Sequence, residues 1–229
     1  MRAMILAAGR GSRMRPLTDH TPKPLLEAGG QALIEYHLSA LATAGVDHVV
    51  INLAHLGTMI RERLGDGRRF ELDIRYSDEG ERALETGGGI LKALPLLGRG
   101  VFLVVNGDIW CDYLFKPRTL GRDDLAHLVL IDNPPHHPQG DFFIDDARLS
   151  LKRGARLTFG GIGYYRPALF AGCKPGAFPL APLLWEAAAH GRISAEHYQG
   201  AWFDIGTHER LQALRAWLKN RNQEILGGC

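Results

Sequence analysis

A loop rich in glycine and arginine follows the first apolar run of the chain, in the stretch AMILAAGRGSRMRPLTDHTPKPL. Gly9 and Gly11 allow the backbone to approach a ligand closely, and successive N–H groups in such a turn form an anion site. Arg13 can add forked, charged hydrogen bonds to phosphate oxygens. Lys23 lies between two prolines, which restrict its backbone. The loop has neither the P-loop signature nor the dinucleotide G-x-G-x-x-G signature, so we predict a polyphosphate site of a third kind.

Two aspartates end apolar runs later in the chain. Asp108 closes VFLVVNGD, and Asp204 closes AWFD just before a helical pattern. If both runs are strands, the carboxylates lie at the carboxyl edge, where open α/β sheets bind ligands. Mg²⁺ takes one or two carboxylates and completes its shell with phosphate oxygens and water. Each aspartate alone is more typical of a turn or a helix cap, but the pair beside a phosphate loop predicts a magnesium site.

Three consecutive glycines, at positions 87–89, open the helical pattern in ERALETGGGILKAL. They bring the backbone close to whatever lies above the turn. A nucleotide base that stacks over this turn and is recognised by backbone groups and Glu81 would account for them. A flexible helix start would account for them equally well.

The order of apolar and helical patterns indicates which elements carry these residues. In the first half, predicted strands are RAMILA, HVVINL, LDIRYS, VFLVVNGD and LAHLVLI. Helices are predicted in LIEYHLSALATAG, around residues 59–64 and in GGGILKALPLL. Nearly continuous apolar runs are typical of strands buried on both faces. We therefore predict an α/β protein with a Rossmann-like, mostly parallel sheet sandwiched by helices.

The second half of the chain has a different pattern. DFFIDDARLSLKRGARLTFGGIGYYRP alternates short β-like pieces with turn signals, so it predicts a small antiparallel β insertion. LAPLLWEAAAHG predicts a helix, AWFDIG a strand, and THERLQALRAWLKNRNQ a C-terminal amphipathic helix with Thr207 as its N-cap. Neither a linker nor a repeat divides the chain, so we predict one domain over residues 1–229.

Composition and charge exclude several classes of function. The 27 basic and 25 acidic residues are well mixed, and no basic block appears, which argues against a nucleic-acid partner. The apolar runs are far shorter than the ~20 residues that cross a bilayer, so we expect no membrane association. Cys111, Cys173 and Cys229 are widely spaced and are predicted to be ordinary thiols. The expected location is the cytoplasm.

The motifs together resemble those of the sugar-nucleotidyltransferase family, whose members join a sugar 1-phosphate to a nucleoside triphosphate and release pyrophosphate. LAAGRGSRMRPLT with PKPL, NGD and DIGT carry the resemblance, which spans nearly the whole chain. Within the family, LETGGGI, VLIDNPPHHPQGDF, FGGIGYYRPALF and EHYQGAWFDIGTHERL are most similar to the uridylyltransferases of N-acetylmuramate 1-phosphate in cell-wall recycling. Mannose 1-phosphate guanylyltransferases and glucose 1-phosphate thymidylyltransferases stay as alternatives.

The resemblance implies a role for each matching position. Residues 1–132 correspond to a nucleotide-binding half and residues 133–229 to a sugar-binding half. The catalytic cations are expected to be Arg13 and Lys23, and the ligands of Mg²⁺ to be Asp108 and Asp204. The expected nucleotide-binding residues are Ala7, Ala8, Gly9, Gly11, Arg13, Lys23, Glu81, Thr86, Gly87 and Asn106. The expected sugar-binding residues are Glu85, Gly140, Asp141 and Thr158.

One segment departs from the family pattern. Many members carry a Glu-Lys pair after the sugar-facing segment, in which the lysine binds the sugar phosphate. The corresponding stretch DDARLSLKRGARLTF has no such pair, and whether Lys152 replaces the lysine stays open.

A nucleotide-binding regulator that keeps the fold without the reaction is the alternative from another class, and it should lack the metal carboxylates or the lysine between prolines. This chain has both. The expected partners are therefore small-molecule substrates, bound by a monomer or a small homo-oligomer.

Overall fold

The computed structural model describes the backbone of residues 1–227 and the side chains of residues 1–221 and 223. Cys229 lies outside the described residues, so its predicted role as an ordinary thiol stays a prediction. Cys111 and Cys173 are free thiols. Within the described chain, no helix combines the length and the apolar character that crossing a membrane requires.

The elements are numbered in chain order. The strands are β1 Arg2–Leu6, β2 Glu27–Ala28, β3 Gln31–Ala32, β4 His48–Leu53, β5 Asp73–Asp78, β6 Phe102–Asn106, β7 Ile109–Cys111, β8 Ala126–Ile131, β9 Phe142–Asp145, β10 Arg148–Ser150, β11 Ala155–Tyr165, β12 Ile193–Tyr198 and β13 Trp202–Asp204. The α-helices are α1 Leu17–His20, α2 Leu33–Thr43, α3 Gly57–Leu64, α4 Glu85–Leu97, α5 Ala181–Ala189 and α6 His208–Gly227. Short 3-10 helices lie at Ser12–Met14, Lys23–Leu25, Arg68–Phe70 and Pro167–Phe170.

A nine-stranded sheet forms the centre of the described structure, in the order β5-β4-β1-β6-β11-β8-β12-β10-β9. Strands β5, β4, β1 and β6 pair in parallel, as do β8 and β12. Leu6 at the end of β1 pairs with Asn106 at the end of β6. The segments that follow these two strands therefore start next to each other at one edge of the sheet.

Helices cover both faces of this sheet. On one face, Leu38 of α2 packs in a buried cluster with Ile5 of β1. On the other, Ile90 of α4 and Leu184 of α5 pack in a second cluster with Met4. Met4 and Ile5 are consecutive, and consecutive side chains of a strand point to opposite faces. This explains why the run AMIL is apolar throughout, and it buries β1 between the two helical layers.

Helix α6 packs outside the main sheet, against the separate two-stranded sheet formed by β7 and β13. Leu211 and Leu214 of α6 lie in one buried cluster with Trp110 of β7. The helix begins at His208, and the Arg210 N–H donates to Thr207 Oγ1 at 3.4 Å. The structure therefore agrees with the C-terminal helix and its N-cap as the sequence predicts them.

The fold class is confirmed, and the predicted antiparallel part of the second half is present, because β9 pairs antiparallel with both β10 and β11. The long strand β11 also extends into the main sheet. β11 lies between β6 and β8 in the main sheet and runs antiparallel to both, so it is a central strand. Its residues Ile162–Tyr165 are buried, which a β hairpin at the surface would not require. The strand β12, in the stretch ISAEHY, has no counterpart in the sequence-based prediction.

Candidate active site

Most of the predicted site residues meet in one cavity of about 340 Å³, which we call the first cavity. It lies where the segments after β1 and β6 leave the carboxyl edge of the sheet. This is the place at which open α/β sheets bind ligands. The predicted residues on its wall are Ala7, Ala8, Gly9, Gly11, Arg13, Lys23, Glu85, Thr86, Asn106 and Asp108.

The glycine loop (residues 7–15) turns sharply after β1. Gly11 has a φ of +64°, a region that favours glycine. A Cβ at this position would lie 3.0 Å from Thr18 Cγ2 and 3.4 Å from the Cβ of Lys23. Thr18 Oγ1 also donates a hydrogen bond to the Gly11 carbonyl at 2.8 Å. Gly11 therefore lets the loop pack directly against the segment that carries Lys23.

Lys23 and Asp108 form an ion pair on the wall of the first cavity. Lys23 Nζ donates to Asp108 Oδ2 at 2.6 Å, and the lysine side chain is only 8% exposed. A buried ammonium group is costly unless a charge and hydrogen bonds compensate it. The pair thus joins the loop after β1 to the end of β6. Arg13, on the same wall, is exposed and adds a second cation.

A hydrogen-bond network on the wall of the first cavity supports the glycine loop through the buried residues Asn52 and Glu79, and sequence reasoning missed it. Asn52 Oδ1 accepts from the Ala7 N–H at 2.7 Å, and Asn52 Nδ2 donates to Glu79 Oε1 at 2.7 Å. Glu79 Oε2 accepts from the Leu84 N–H at 2.6 Å. The network ties the glycine loop to the turn before α4. Asn52 interrupts the apolar run VVINL, a signal that could have identified it.

His37 lies directly behind the Asp108 segment. It is buried in α2, and its Nε2 bonds the Ile109 carbonyl at 2.8 Å. Burial lowers the pKa of His37 to about 4, although the bond to Ile109 and the charge of Asp108 act in the opposite direction. The ring is therefore neutral at pH 7, and Nε2–H is the donor to the carbonyl. The neutral ring fixes the start of β7 without adding charge to the cavity.

Asp204 lies on a backbone segment adjacent to that of Asp108 but lines a different cavity. The Ile205 N–H donates to the Asp108 carbonyl at 2.8 Å, and Asp204 pairs with Ile109 across the two-stranded sheet. The carboxylate of Asp204 lines a second cavity, and Arg210 Nη1 donates to its Oδ2 at 2.5 Å. Gly206 lines the first cavity. A Cβ on Gly206 would lie 3.0 Å from Asp204 Oδ2, which belongs to the second cavity, so the two cavities border each other at Gly206.

The donor set agrees with a hard divalent cation. Asp108 and Asp204 offer carboxylate oxygens from adjacent backbone segments, and Mg²⁺ needs only one or two of these besides phosphate and water. Each carboxylate is already held by a cation, Asp108 by Lys23 and Asp204 by Arg210. Among the described residues, no group of three or more His, Cys, Asp or Glu side chains could hold a metal alone. A metal here would therefore depend on substrate oxygens.

Two of the predicted base-binding residues do not line the first cavity. Glu81 is exposed in the turn before α4. Gly87 donates its N–H to the Phe178 carbonyl at 3.0 Å, and a Cβ on it would lie 2.5 Å from the Phe178 ring. A Cβ on Gly88 would lie 2.1 Å from the Gly176 carbonyl oxygen. These glycines thus allow α4 to pack against residues 176–178, and base contact by Glu81 and Gly87 stays a prediction.

The predicted sugar-binding residues are divided in the same way. Glu85 lies on the first cavity, whereas Gly140, Asp141 and Thr158 line neither cavity. Thr158 Oγ1 donates to Asn133 Oδ1 at 2.9 Å, and Asp141 Oδ2 accepts from the Phe159 N–H at 2.9 Å. These bonds hold the segment before β9 against β11. Sugar contact by Gly140, Asp141 and Thr158 therefore stays a prediction.

The fold and the first cavity define a class of protein, an α/β protein whose glycine-rich loop after a parallel strand lines a cavity at the carboxyl edge of the sheet. The family model described as "Nucleotidyl transferase" matches residues 2–142 of this chain. That range includes the glycine loop, Lys23 and Asp108. The chain belongs to the nucleotidyl transferase family, and this part of the prediction is confirmed.

Individual relatives agree with this membership. The chain is 48% identical to an N-acetylmuramate alpha-1-phosphate uridylyltransferase of Neisseria meningitidis serogroup B, over 94% of this chain and 97% of the relative. It is 34% identical to a protein of the same name from Caulobacter vibrioides, over 94% and 96% of the two chains. A solved structure described as a putative glucose-1-phosphate thymidylyltransferase of Bacillus anthracis has a TM-score of 0.82, covers 96% of each chain and is 21% identical. That likeness concerns the fold alone.

Proposed function

We propose that this chain transfers a uridylyl group from UTP to N-acetylmuramate 1-phosphate, forming UDP-N-acetylmuramate and pyrophosphate for cell-wall recycling. The observation that carries the proposal is the contact between the buried Lys23 and Asp108, on the same wall as the glycine loop. The 48% identity to a uridylyltransferase of this substrate supports the choice of base and sugar. Sequence stretches such as LETGGGI and DIGTHERL support it as well.

The proposed reaction is a direct in-line displacement. An oxygen of the sugar phosphate attacks the α-phosphorus of UTP, the bond from that phosphorus to the bridging oxygen breaks, and pyrophosphate leaves with the electron pair. The attacking phosphate is already ionised at neutral pH, so no general base is needed. Lys23, Arg13 and the loop N–H groups hold the charge of the leaving group. Catalysis then consists of positioning and charge neutralisation.

The proposed cofactor is Mg²⁺, held by Asp108 and Asp204. When bound, it would neutralise charge on the phosphate oxygens. Within this chain, Lys23 holds the Asp108 carboxylate in place, and Arg210 holds that of Asp204. We expect that removing divalent cations with EDTA abolishes turnover and that added Mg²⁺ restores it.

A matrix of substrates tests the proposal. UTP, GTP, dTTP and ATP are each combined with N-acetylmuramate, mannose and glucose 1-phosphates, and pyrophosphate release is measured. We expect the highest kcat/KM for UTP with N-acetylmuramate 1-phosphate. A preference for GTP with mannose 1-phosphate, or for dTTP with glucose 1-phosphate, would replace the proposed substrates and keep the reaction. No release with any pair would favour a nucleotide-binding regulator.

The proposed partners are small molecules. The mixed charge of the chain, +2 from 27 basic and 25 acidic residues, gives no surface preference for nucleic acid. We infer a cytoplasmic enzyme that acts as a monomer or a small homo-oligomer, because its proposed substrates are soluble phosphates.

Lys152 is the residue that could replace the family lysine. It is exposed in the turn between β10 and β11 and lines neither cavity.

A further inference from the structure

The second cavity, of about 480 Å³, is large enough for a sugar substituent and combines two kinds of wall. Pro134, Trp202 and Phe203 contribute apolar surface, and His136 and Arg210 contribute polar groups. The first cavity, with its glycine loop, accounts for phosphate binding without any of these residues. Apart from the contact by which Arg210 holds Asp204, the second cavity therefore has room and side chains that the proposed reaction does not use.

Arg210 is held in one orientation and still has unused donors. Its Nη1 donates to Asp204 Oδ2 at 2.5 Å and to His136 Nε2 at 2.7 Å. A guanidinium group carries five N–H donors. Among the described residues, neither Nε nor Nη2 of Arg210 has a hydrogen-bond acceptor. Its side chain is 22% exposed, so these donors lie at a partly enclosed wall.

The unused donors lie at the boundary of the two cavities. A Cβ on Gly206 would lie 2.3 Å from Arg210 Nη2, so the guanidinium lies directly against the Gly206 backbone. Gly206 lines the first cavity together with Lys23 and Asp108. A sugar whose 1-phosphate lies at the Gly206 end of the first cavity would therefore place its ring substituents close to Arg210.

We propose that Arg210, oriented by Asp204 and His136, recognises a carboxylate on the sugar substrate in the second cavity. The inference rests on the proposed function, because N-acetylmuramate differs from N-acetylglucosamine by a lactyl ether that ends in a carboxylate. A guanidinium fork matches a carboxylate better than an ammonium group does. The apolar wall of Trp202 and Phe203 suits the methyl group of the same ether, and the fixed orientation of Arg210 lowers the cost of binding.

Binding of two UDP-sugars tests the inference without requiring turnover. The ligands are UDP-N-acetylmuramate and UDP-N-acetylglucosamine, which share nucleotide and sugar ring but differ in the carboxylate. Their Kd values are measured by calorimetry for the wild type, Arg210→Met, Arg210→Lys and His136→Gln. Arg215→Met is the matched control, because Arg215 lies on the same helix, bonds the Glu27 carbonyl through Nε at 2.9 Å and lines neither cavity.

We expect the wild type to bind UDP-N-acetylmuramate more tightly, and Arg210→Met to lose that preference by roughly 10- to 100-fold, the usual effect of a hydrogen bond to a charged group. Arg210→Lys should lose part of it, and Arg215→Met none. An unchanged preference in Arg210→Met overturns the inference. Equal weakening of both ligands also overturns it and would instead indicate that Arg210 acts on the shared phosphates or on the metal site. If Arg210→Met does not fold, Arg210→Lys and His136→Gln decide by the same ratio.

The same protein separates this inference from the proposed function. Pyrophosphate release with UTP and N-acetylmuramate 1-phosphate is measured on the wild type in parallel. Turnover together with an unchanged ligand preference in the variants contradicts the inference alone. If the wild type does not turn over N-acetylmuramate 1-phosphate but does turn over a sugar 1-phosphate without a carboxylate, both the proposed function and the inference are contradicted.

Discussion

At the scale of single residues, the site depends on charges that the fold has already paired. Lys23 and Asp108 neutralise each other across 2.6 Å, and Arg210 holds Asp204. Because these pairs are formed before any substrate binds, we expect the carboxylates and cations to need little rearrangement in the proposed reaction. Such preorganised charge is usually the largest single contribution to catalysis.

Replacing Lys23 with methionine tests this charge directly. We expect Lys23→Met to reduce kcat for pyrophosphate release by about 10²–10³-fold, the usual effect of removing one electrostatic contact. Lys219→Met on the exposed side of α6 is the control and should keep full activity. Both variants should melt cooperatively in a thermal scan. A Lys23→Met enzyme with nearly wild-type kcat would remove Lys23 from the catalytic site.

His37 predicts a pH dependence of stability. Its pKa is lowered from 6.5 to about 4 by burial, so the unfolded chain binds a proton at a higher pH than the folded chain does. The contribution of His37 to the free energy of unfolding should therefore be fully present above pH 6.5 and should be lost as the pH drops toward 4. At about 1.4 kcal/mol per pKa unit, the total loss is about 3 kcal/mol.

Urea denaturation between pH 7 and pH 4 measures this effect, with His37→Gln as the comparison. The variant should lack most of the pH dependence above pH 4.5. Below that value Glu35 and Glu196, whose pKa values are also lowered, contribute in both proteins. Equal slopes for wild type and variant between pH 6.5 and 4.5 would exclude His37 as the titrating group.

At the scale of elements, the glycine run of α4 is a packing device. A Cβ on Gly88 would lie 2.1 Å from the Gly176 carbonyl, so Gly88 allows a loop to approach the helix closely. The same helix start lies beside Glu79 and Asn52, which support the glycine loop. The turn before α4 and the turn after β1 are thus fixed to each other.

Replacement of Gly88 by alanine should therefore destabilise the protein. Within a helix, Gly→Ala is normally favourable by about 0.5–1 kcal/mol, but here the new Cβ forces the backbone apart at a cost of about 1–3 kcal/mol. Gly100→Ala is the control, because a Cβ there meets nothing within 4 Å. Urea denaturation measures both variants. A stabilised Gly88→Ala protein would contradict the packing role.

At the scale of the whole molecule, local signals in the sequence predicted local structure well. The glycine loop and Lys23 could be predicted because their residues lie within one short segment whose chemistry is self-contained. The antiparallel pattern of residues 142–165 could be predicted as well, but not the pairing of β11 with β6 and β8, because turn signals do not reveal which strands become neighbours. Asn52 bonds Ala7 and Glu79, which are 45 and 27 positions away, and Arg210 resembles any charged residue of an amphipathic helix. Such partners become visible only once the chain is folded.

The central claim is that the first cavity holds the nucleotide while the sugar phosphate attacks its α-phosphorus. UTP labelled with ³²P at the α-position, and separately at the γ-position, is incubated with N-acetylmuramate 1-phosphate and Mg²⁺, and the products are separated. We expect α-label in UDP-N-acetylmuramate, γ-label in pyrophosphate, and loss of both products in Asp108→Asn. Label retained in UTP by the wild type, label bound covalently to the protein, or full transfer by Asp108→Asn would contradict it.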